Sequence, residues 1–178
     1  MKMKKSLIAI LLSLVFVCTN YIGIFAAEPV SSGGVISIDA QEGVPETGKT
    51  LEELFGTNQM RAMTMPKDTW DWSEGNYNGT FEIQYEYSYS KYNFTGYSQY
   101  YVDTKASRNK WTAASDYYIV YLLKGTGQGT IVTSYEWDST DWETVRFYNL
   151  DAGTKYTICI SKANDTSILS GEFTVRPE

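Results

Sequence analysis

Between residues 80 and 89 the side chains alternate almost without a break. Odd positions carry Phe81, Ile83, Tyr85, Tyr87 and Tyr89, and even positions carry Glu82, Gln84, Glu86 and Ser88. A period of two marks a strand with one buried face, because successive side chains leave a strand on opposite sides. Six more runs follow. Residues 98–105 alternate more weakly. Residues 117–124 (YYIVYLLK) are apolar on both faces, which places them at the centre of a sheet, and they end at a glycine-rich turn, Gly125 to Gly129. Residues 130–137 come next, then an acidic turn, then 142–148. Residues 155–162 put Tyr156, Ile158 and Ile160 on one face and Thr157, Cys159 and Ser161 on the other. Residues 168–175 hold Leu169, Gly171, Phe173 and Val175 in one phase. Seven short strands with turn signals between them predict an all-β fold, a single seven-stranded β-sandwich over residues 70–178.

That region can fill such a core. It holds all five Trp, 14 of the 15 Tyr and four Phe. Each ring buries roughly 150–250 Å², so a domain of this size needs no disulfide. There are more rings than a small interior accommodates, and the surplus predicts exposed aromatics and an adhesive patch.

The preceding residues divide in two. Lys2, Lys4 and Lys5 precede the apolar run 6–17, and small residues Ala26 and Ala27 come before the first acid, Glu28. This is the pattern of a secretory signal peptide over residues 1–27, too short in its apolar part for a stable membrane span. Secretion to the extracellular space is the expectation. Removing the signal leaves 12 basic and 21 acidic side chains, a net charge of −9 against −6 for the whole chain. Nucleic acid needs a basic face to neutralise phosphates, so it is excluded as a partner. Cys159 would be the one remaining cysteine, and an exported chain without a disulfide fits a Gram-positive bacterium.

Residues 28–69 carry seven acids, three bases, many Gly, Pro, Ser and Thr, and one aromatic, Phe55. The composition predicts a flexible acidic arm or a pro-segment trimmed after export. Within it, residues 49–55 can form about two helical turns with Leu51, Leu54 and Phe55 on one face. The pentapeptide VPETG at 44–48 has the letters of a sortase signal but lacks the C-terminal position and the apolar stretch that sorting requires.

The absence of His removes whole classes of chemistry. Triads with an imidazole base, HExxH zinc sites and His-based deaminase sites cannot be assembled. Carboxylate chemistry and Ca²⁺ binding through oxygen ligands remain.

Residues 150–160 read Leu150-Asp-Ala-Gly153-Thr154-Lys-Tyr156-Thr-Ile158-Cys-Ile160. This run resembles the tyrosine corner of fibronectin type III and other immunoglobulin-like domains. The resemblance implies that Leu150 closes a fifth strand, that Gly153 permits the turn, and that the Tyr156 hydroxyl bonds back to upstream backbone. The ending, Phe173-Thr-Val175-Arg-Pro, resembles the last strand of such modules. The corner, together with the final Ser170-Gly171 strand, also resembles small secreted proteins of Firmicutes, which implies no activity.

Candidate sites are few. Tyr85, Tyr87 and Tyr89, with Trp137 and Trp142, are the expected ligand-binding aromatics, suited to stacking on sugar rings or to contacts with protein. Asp138, Asp141 and Glu143 in the acidic turn are the expected oxygen ligands if Ca²⁺ binds; no other cofactor is expected. Asp68, Asp71 and Glu74, with Trp70 and Trp72, echo that acid–Trp pattern. A glycosidase would need two such carboxylates across a cleft, which a sandwich this small does not lead us to expect. Lys105, Arg108 and Lys110 read as a solvated basic loop, and Cys159 as a small hydrophobe.

The sum predicts a secreted, non-catalytic interaction module that binds a cell-surface or cell-wall glycan, polymer or protein through exposed aromatics. The alternative is a secreted toxin or bacteriocin-like effector with an N-terminal pro-arm.

Overall fold

The computed structural model describes residues 34–56, 64–109, 117–163 and 165–178, all within one unit, Ser31–Glu178. The signal peptide expected over 1–27, and Lys110, lie outside the described residues. The strands are β1 (Val35–Asp39), β2 (Tyr77–Ile83), β3 (Tyr87–Tyr89), β4 (Tyr100–Arg108), β5 (Tyr118–Lys124), β6 (Thr130–Trp137), β7 (Glu143–Tyr148), β8 (Tyr156–Lys162) and β9 (Leu169–Pro177). One short helix, α1 (Leu51–Phe55), and a 3-10 turn, Trp72–Glu74, complete the regular structure of the described residues.

The strands form two sheets. One has the order β1-β7-β4-β9-β2 and the other β3-β8-β5-β6. Every pairing is antiparallel except β1 with β7. The inward phases of both sheets meet in one core. Val102, Val145, Phe147 and Val175 come from the five-stranded sheet, and Tyr118, Val120, Leu122, Ile158 and Ile160 from the other. Gly171 belongs to that inward phase because there is no room for more. A Cβ there would lie 2.2 Å from the Lys105 carbonyl oxygen and 2.6 Å from the Phe81 ring, which occupies the space instead.

The all-β class and the two-sheet architecture follow the expectation; the strand number does not. The described residues hold nine strands rather than seven, for two reasons. First, the alternating run at 80–89 is two strands. β2 pairs with β9, whereas β3 pairs with β8 in the opposite sheet. At residues 84–86 the chain crosses between sheets, and the phase inverts there: Tyr85 is exposed and Glu86 is buried. Strands that switch sheets at a bend are a normal way to make a sandwich corner.

Second, the expected flexible arm is built into the fold over residues 34–56. β1 adds an edge strand to the five-stranded sheet, with Ile36 and Ile38 packed against the core. α1 starts with a capping box, in which the Glu53 amide donates to Thr50 Oγ1 (3.2 Å) and the Thr50 amide to Glu53 Oε2 (2.7 Å). Leu51, Leu54 and Phe55 share one face as expected, in a helix shorter than the two turns expected over 49–55, and that face meets the outside of the four-stranded sheet. Leu51 and Met65 are buried there against Tyr87, Tyr121, Leu123, Ile131 and Cys159. This second cluster explains why β5 is apolar on both faces: one side faces the sandwich interior and the other lies under the N-terminal segment. Low aromatic content did not prevent order, because a preformed apolar sheet face needs only a few side chains to cover it.

The corner at 150–156 has the expected hydrogen bond. The Asp151 amide donates to the Tyr156 hydroxyl at 3.0 Å. The last strand departs from the immunoglobulin pattern, in which it lies beside the sixth strand. β9 sits between β2 and β4, and β3 flanks β8 instead.

Candidate functional site

The structure separates the five aromatics expected to form one patch. Tyr85 is 61% exposed in the β2–β3 turn and Trp142 is 46% exposed in the β6–β7 turn. Those turns adjoin opposite edge strands of the four-stranded sheet, β3 and β6. Three inter-strand spacings, about 14 Å, lie between those strands. Tyr87 and Trp137 are only 8% and 6% exposed. Tyr87 stacks on Phe55 with ring centroids 5.9 Å apart, and Trp137 meets Tyr135 edge-on at 4.6 Å. Tyr89 is half-buried, and its hydroxyl donates to the Gln128 carbonyl (2.9 Å). Burial pushes the phenols of Tyr87 and Tyr89 above the usual tyrosine range.

The acidic turn is divided as well. Asp138 and Asp141 are exposed, and the Asp141 amide donates to Ser139 Oγ (3.1 Å) in a local turn. Glu143 is 5% exposed because it opens β7 in the inward phase of Val145 and Phe147. Among the described residues, no group of three or more His, Cys, Asp or Glu is placed to hold a metal ion. Glu143 instead stands at a polar end of the interior. Its cross-strand partner is Thr104, and the pair Tyr118–Trp137 comes from the other sheet. The Thr104 hydroxyl, the Tyr118 hydroxyl and the Trp137 indole N–H are buried with no hydrogen-bond partner among the described residues. Burial, and then the charge of Glu143, push the Tyr118 phenol upward.

Farther along that end, Arg108 is buried rather than solvated. It lies in the inward phase of β4 with Tyr100, Val102, Thr104 and Ala106. Asp165 holds it, with Arg108 Nη1 to Asp165 Oδ2 at 2.9 Å and Lys162 Nζ to Asp165 Oδ1 at 3.1 Å. Lys105, three residues earlier in the opposite phase, is exposed as expected. Trp70 and Trp72 serve structure: their indole N–H groups donate to the Gly75 and Thr95 carbonyls, both at 2.9 Å, and Trp72 stacks on Tyr100. Asp71 caps the 3-10 turn through the Ser73 amide. Cys159 is buried, and burial pushes its thiol well up, away from the thiolate.

The outer face of the five-stranded sheet is a site that the sequence reading missed. Where the other sheet lies under α1, the residues of this face are exposed or half-buried. Tyr101 is paired on one side with Arg146 and on the other with Arg176. The Arg176 guanidinium lies 4.2 Å from the centroid of the Tyr101 ring, and that of Arg146 lies 5.8 Å from it and 5.2 Å from that of Tyr148. Asp103 accepts from Arg176 Nε (2.8 Å) and from Thr144 Oγ1 (2.7 Å), and Gln99 Oε1 accepts from Arg146 Nε (2.9 Å). Planar guanidinium groups stacked on rings and held by acceptors form a stiff polar surface. Beside it lies a shallow depression of about 330 Å³, lined by Thr80, Lys105, Ser107, Ser170 and Glu172. The signal was present in the sequence as the odd phase of β4, Tyr101-x-Asp103-x-Lys105, which aligns with the alternating Arg146 and Arg176 only once the register is known.

No helix among the described residues is long and apolar enough to cross a membrane. Set against known proteins, the chain matches no family model, no curated protein and no solved structure.

Proposed function

We propose that the protein is a secreted, non-catalytic interaction module that binds a glycan, polymer or protein of the cell surface or cell wall. The observation that carries this reading is the unequal covering of the two sheets. The chain uses its own N-terminal segment to cover one outer face, and among the described residues no segment covers the other, where Tyr101 and Tyr148 are interleaved by Arg146 and Arg176. A surface whose side chains are already fixed loses little entropy on binding. The aromatic contact expected at Tyr85, Tyr87, Tyr89, Trp137 and Trp142 therefore moves to this face, with Tyr85 and Trp142 as separate exposed rings. The corner at Tyr156 supports an immunoglobulin-like relationship, and the place of β9 departs from it. The effector reading asks for an arm that can be trimmed, whereas β1 and Leu51 are parts of a sheet and a core.

A glycan array and a pull-down on isolated cell walls test the proposal. The wild-type protein should bind a defined class of ligand, and Arg146→Gln with Tyr148→Ser should weaken it at least tenfold without lowering the melting temperature. Absence of binding to every surface offered, or binding unchanged in the double variant, overturns it.

A further inference from the structure

The four-stranded sheet ends on β6, and half of that edge is already occupied. The Gly48 amide donates to the Ile131 carbonyl (2.9 Å), and the Ile131 amide donates to the Lys49 carbonyl (2.8 Å). Thr47 Oγ1 donates to the Val132 carbonyl (2.9 Å). The N-terminal segment thus pairs with the first half of β6 and turns away at Thr47. Among the described residues, no strand lies along residues 134–136 on that side. Next to this open stretch is a groove of about 330 Å³. Leu54, Phe55, Ile119 and Tyr121 make its apolar part and Glu46 and Glu136 its charged part, with no Lys or Arg in the lining. Both carboxylates are close enough to the Tyr121 hydroxyl to act on it electrostatically.

We propose that this open half-edge and its groove dock an extended peptide strand of another protein, one that presents lysine or arginine beside an apolar side chain. Main-chain hydrogen bonds would continue the pairing that Gly48 and Lys49 begin, and alternate side chains would reach the groove, as in other cases of strand addition. Charge selects the partner. A second copy of this acidic chain would bring Glu136 against its own kind, and like charges across paired strands repel. The β-bulge of β6, a common guard of free edges, lies at Val132, opposite Leu122 and Leu123 of β5 and within the half that is already covered. This surface lies on the opposite sheet from the Arg146–Tyr101–Arg176 row, so the two proposals stand or fall separately.

The test is an NMR titration of the full chain with the hexapeptide acetyl-TKTLTK-amide. Its controls are acetyl-TETLTE-amide and the lysine peptide with alternate backbone nitrogens methylated. The lysine peptide should shift the amide resonances of residues 134–137 and slow their hydrogen exchange. Its affinity should fall at least fivefold in the variant carrying Glu46→Gln and Glu136→Gln, and neither control should bind. The proposal is overturned by no shift at millimolar peptide, by shifts that map to another edge, or by equal binding of the acidic peptide or of the double variant.

Discussion

At the scale of single residues, the turn into β8 shows how local chemistry divides among neighbours. The resemblance to a tyrosine corner implies that Gly153 permits the turn, yet the left-handed conformation falls on Asn149, with φ at 60°. Asn tolerates that region better than most residues because its short amide finds hydrogen bonds nearby. Here Asn149 Nδ2 donates to Asp39 Oδ2 and the Asn149 carbonyl accepts from Gln41 Nε2, both at 2.8 Å, which ties the β7–β8 turn to the end of β1. At Gly153 an added Cβ would meet only Asp151 Oδ1, at 3.4 Å, an ordinary contact. Gly153→Ala should therefore leave stability unchanged or raise it by about 0.4–1 kcal/mol through the unfolded chain. Asn149→Ala should lower it by about 1–2 kcal/mol, the cost of the left-handed region for a residue with no local hydrogen bond. Urea denaturation of both variants decides the matter, and a larger loss at Gly153 than at Asn149 would reverse the assignment.

At the scale of elements, hydrophobic period marked the seven runs that hold the described strands of residues 70–178, but it could not divide the run at 80–89 or say which sheet receives a strand. The run at 80–89 shows why. Alternation is a property of one chain, whereas sheet membership is decided by partners far away in sequence, Leu169 for Ile83 and Ser161 for Tyr87. Arg108 is legible by alternation too, since it shares the phase of Val102 and Ala106; its charge conceals its burial. Glu86 is the clearest casualty of the corner. Its backbone carbonyl accepts from the Lys162 amide (2.9 Å), and burial pushes its carboxyl above the usual range while the Lys162 charge pulls part of the way back. A carboxyl with a raised folded pKa holds its proton more tightly in the folded state than in the unfolded one. Its ionised form is therefore a cost to stability at neutral pH, and the cost disappears as pH falls through that raised value. Glu86→Gln should melt higher than wild type at pH 7, and the difference should close towards pH 4 as the wild-type carboxyl protonates. A glutamine variant less stable at pH 7 would mean that the attraction to Lys162 outweighs burial.

For the whole molecule, the decisive fact is that a two-layer sandwich does not account for β5. A strand with Tyr118, Val120 and Leu122 inward and Tyr121 and Leu123 outward needs an apolar neighbour on each side. The sequence displayed that demand in YYIVYLLK, and it displayed the supply in the spacing of Leu51, Leu54 and Phe55. The two were not joined because the acids, Gly and Pro around α1 carry the composition of a flexible arm. Composition averages over a segment, whereas covering a sheet depends on a handful of positions. The consequence is measurable. A fragment comprising only residues 70–178 loses β1, α1 and Met65, and leaves Tyr121, Leu123, Ile131 and Cys159 facing water. Full burial of a leucine such as Leu51 is worth about 1.5–3 kcal/mol by itself. At about 2–4 °C per kcal/mol for a domain of roughly 150 residues, and with β1 and Met65 lost beside Leu51, the fragment should melt at least about 5 °C below the full chain and bind a hydrophobic dye that the full chain does not. Leu51→Ala in the full chain should reproduce part of the loss, about 2–5 kcal/mol, within a single cooperative transition, because a cover that belongs to the core unfolds with it. A fragment that melts where the full chain does would reduce residues 34–56 to a tether and return the trimmed-arm reading to consideration.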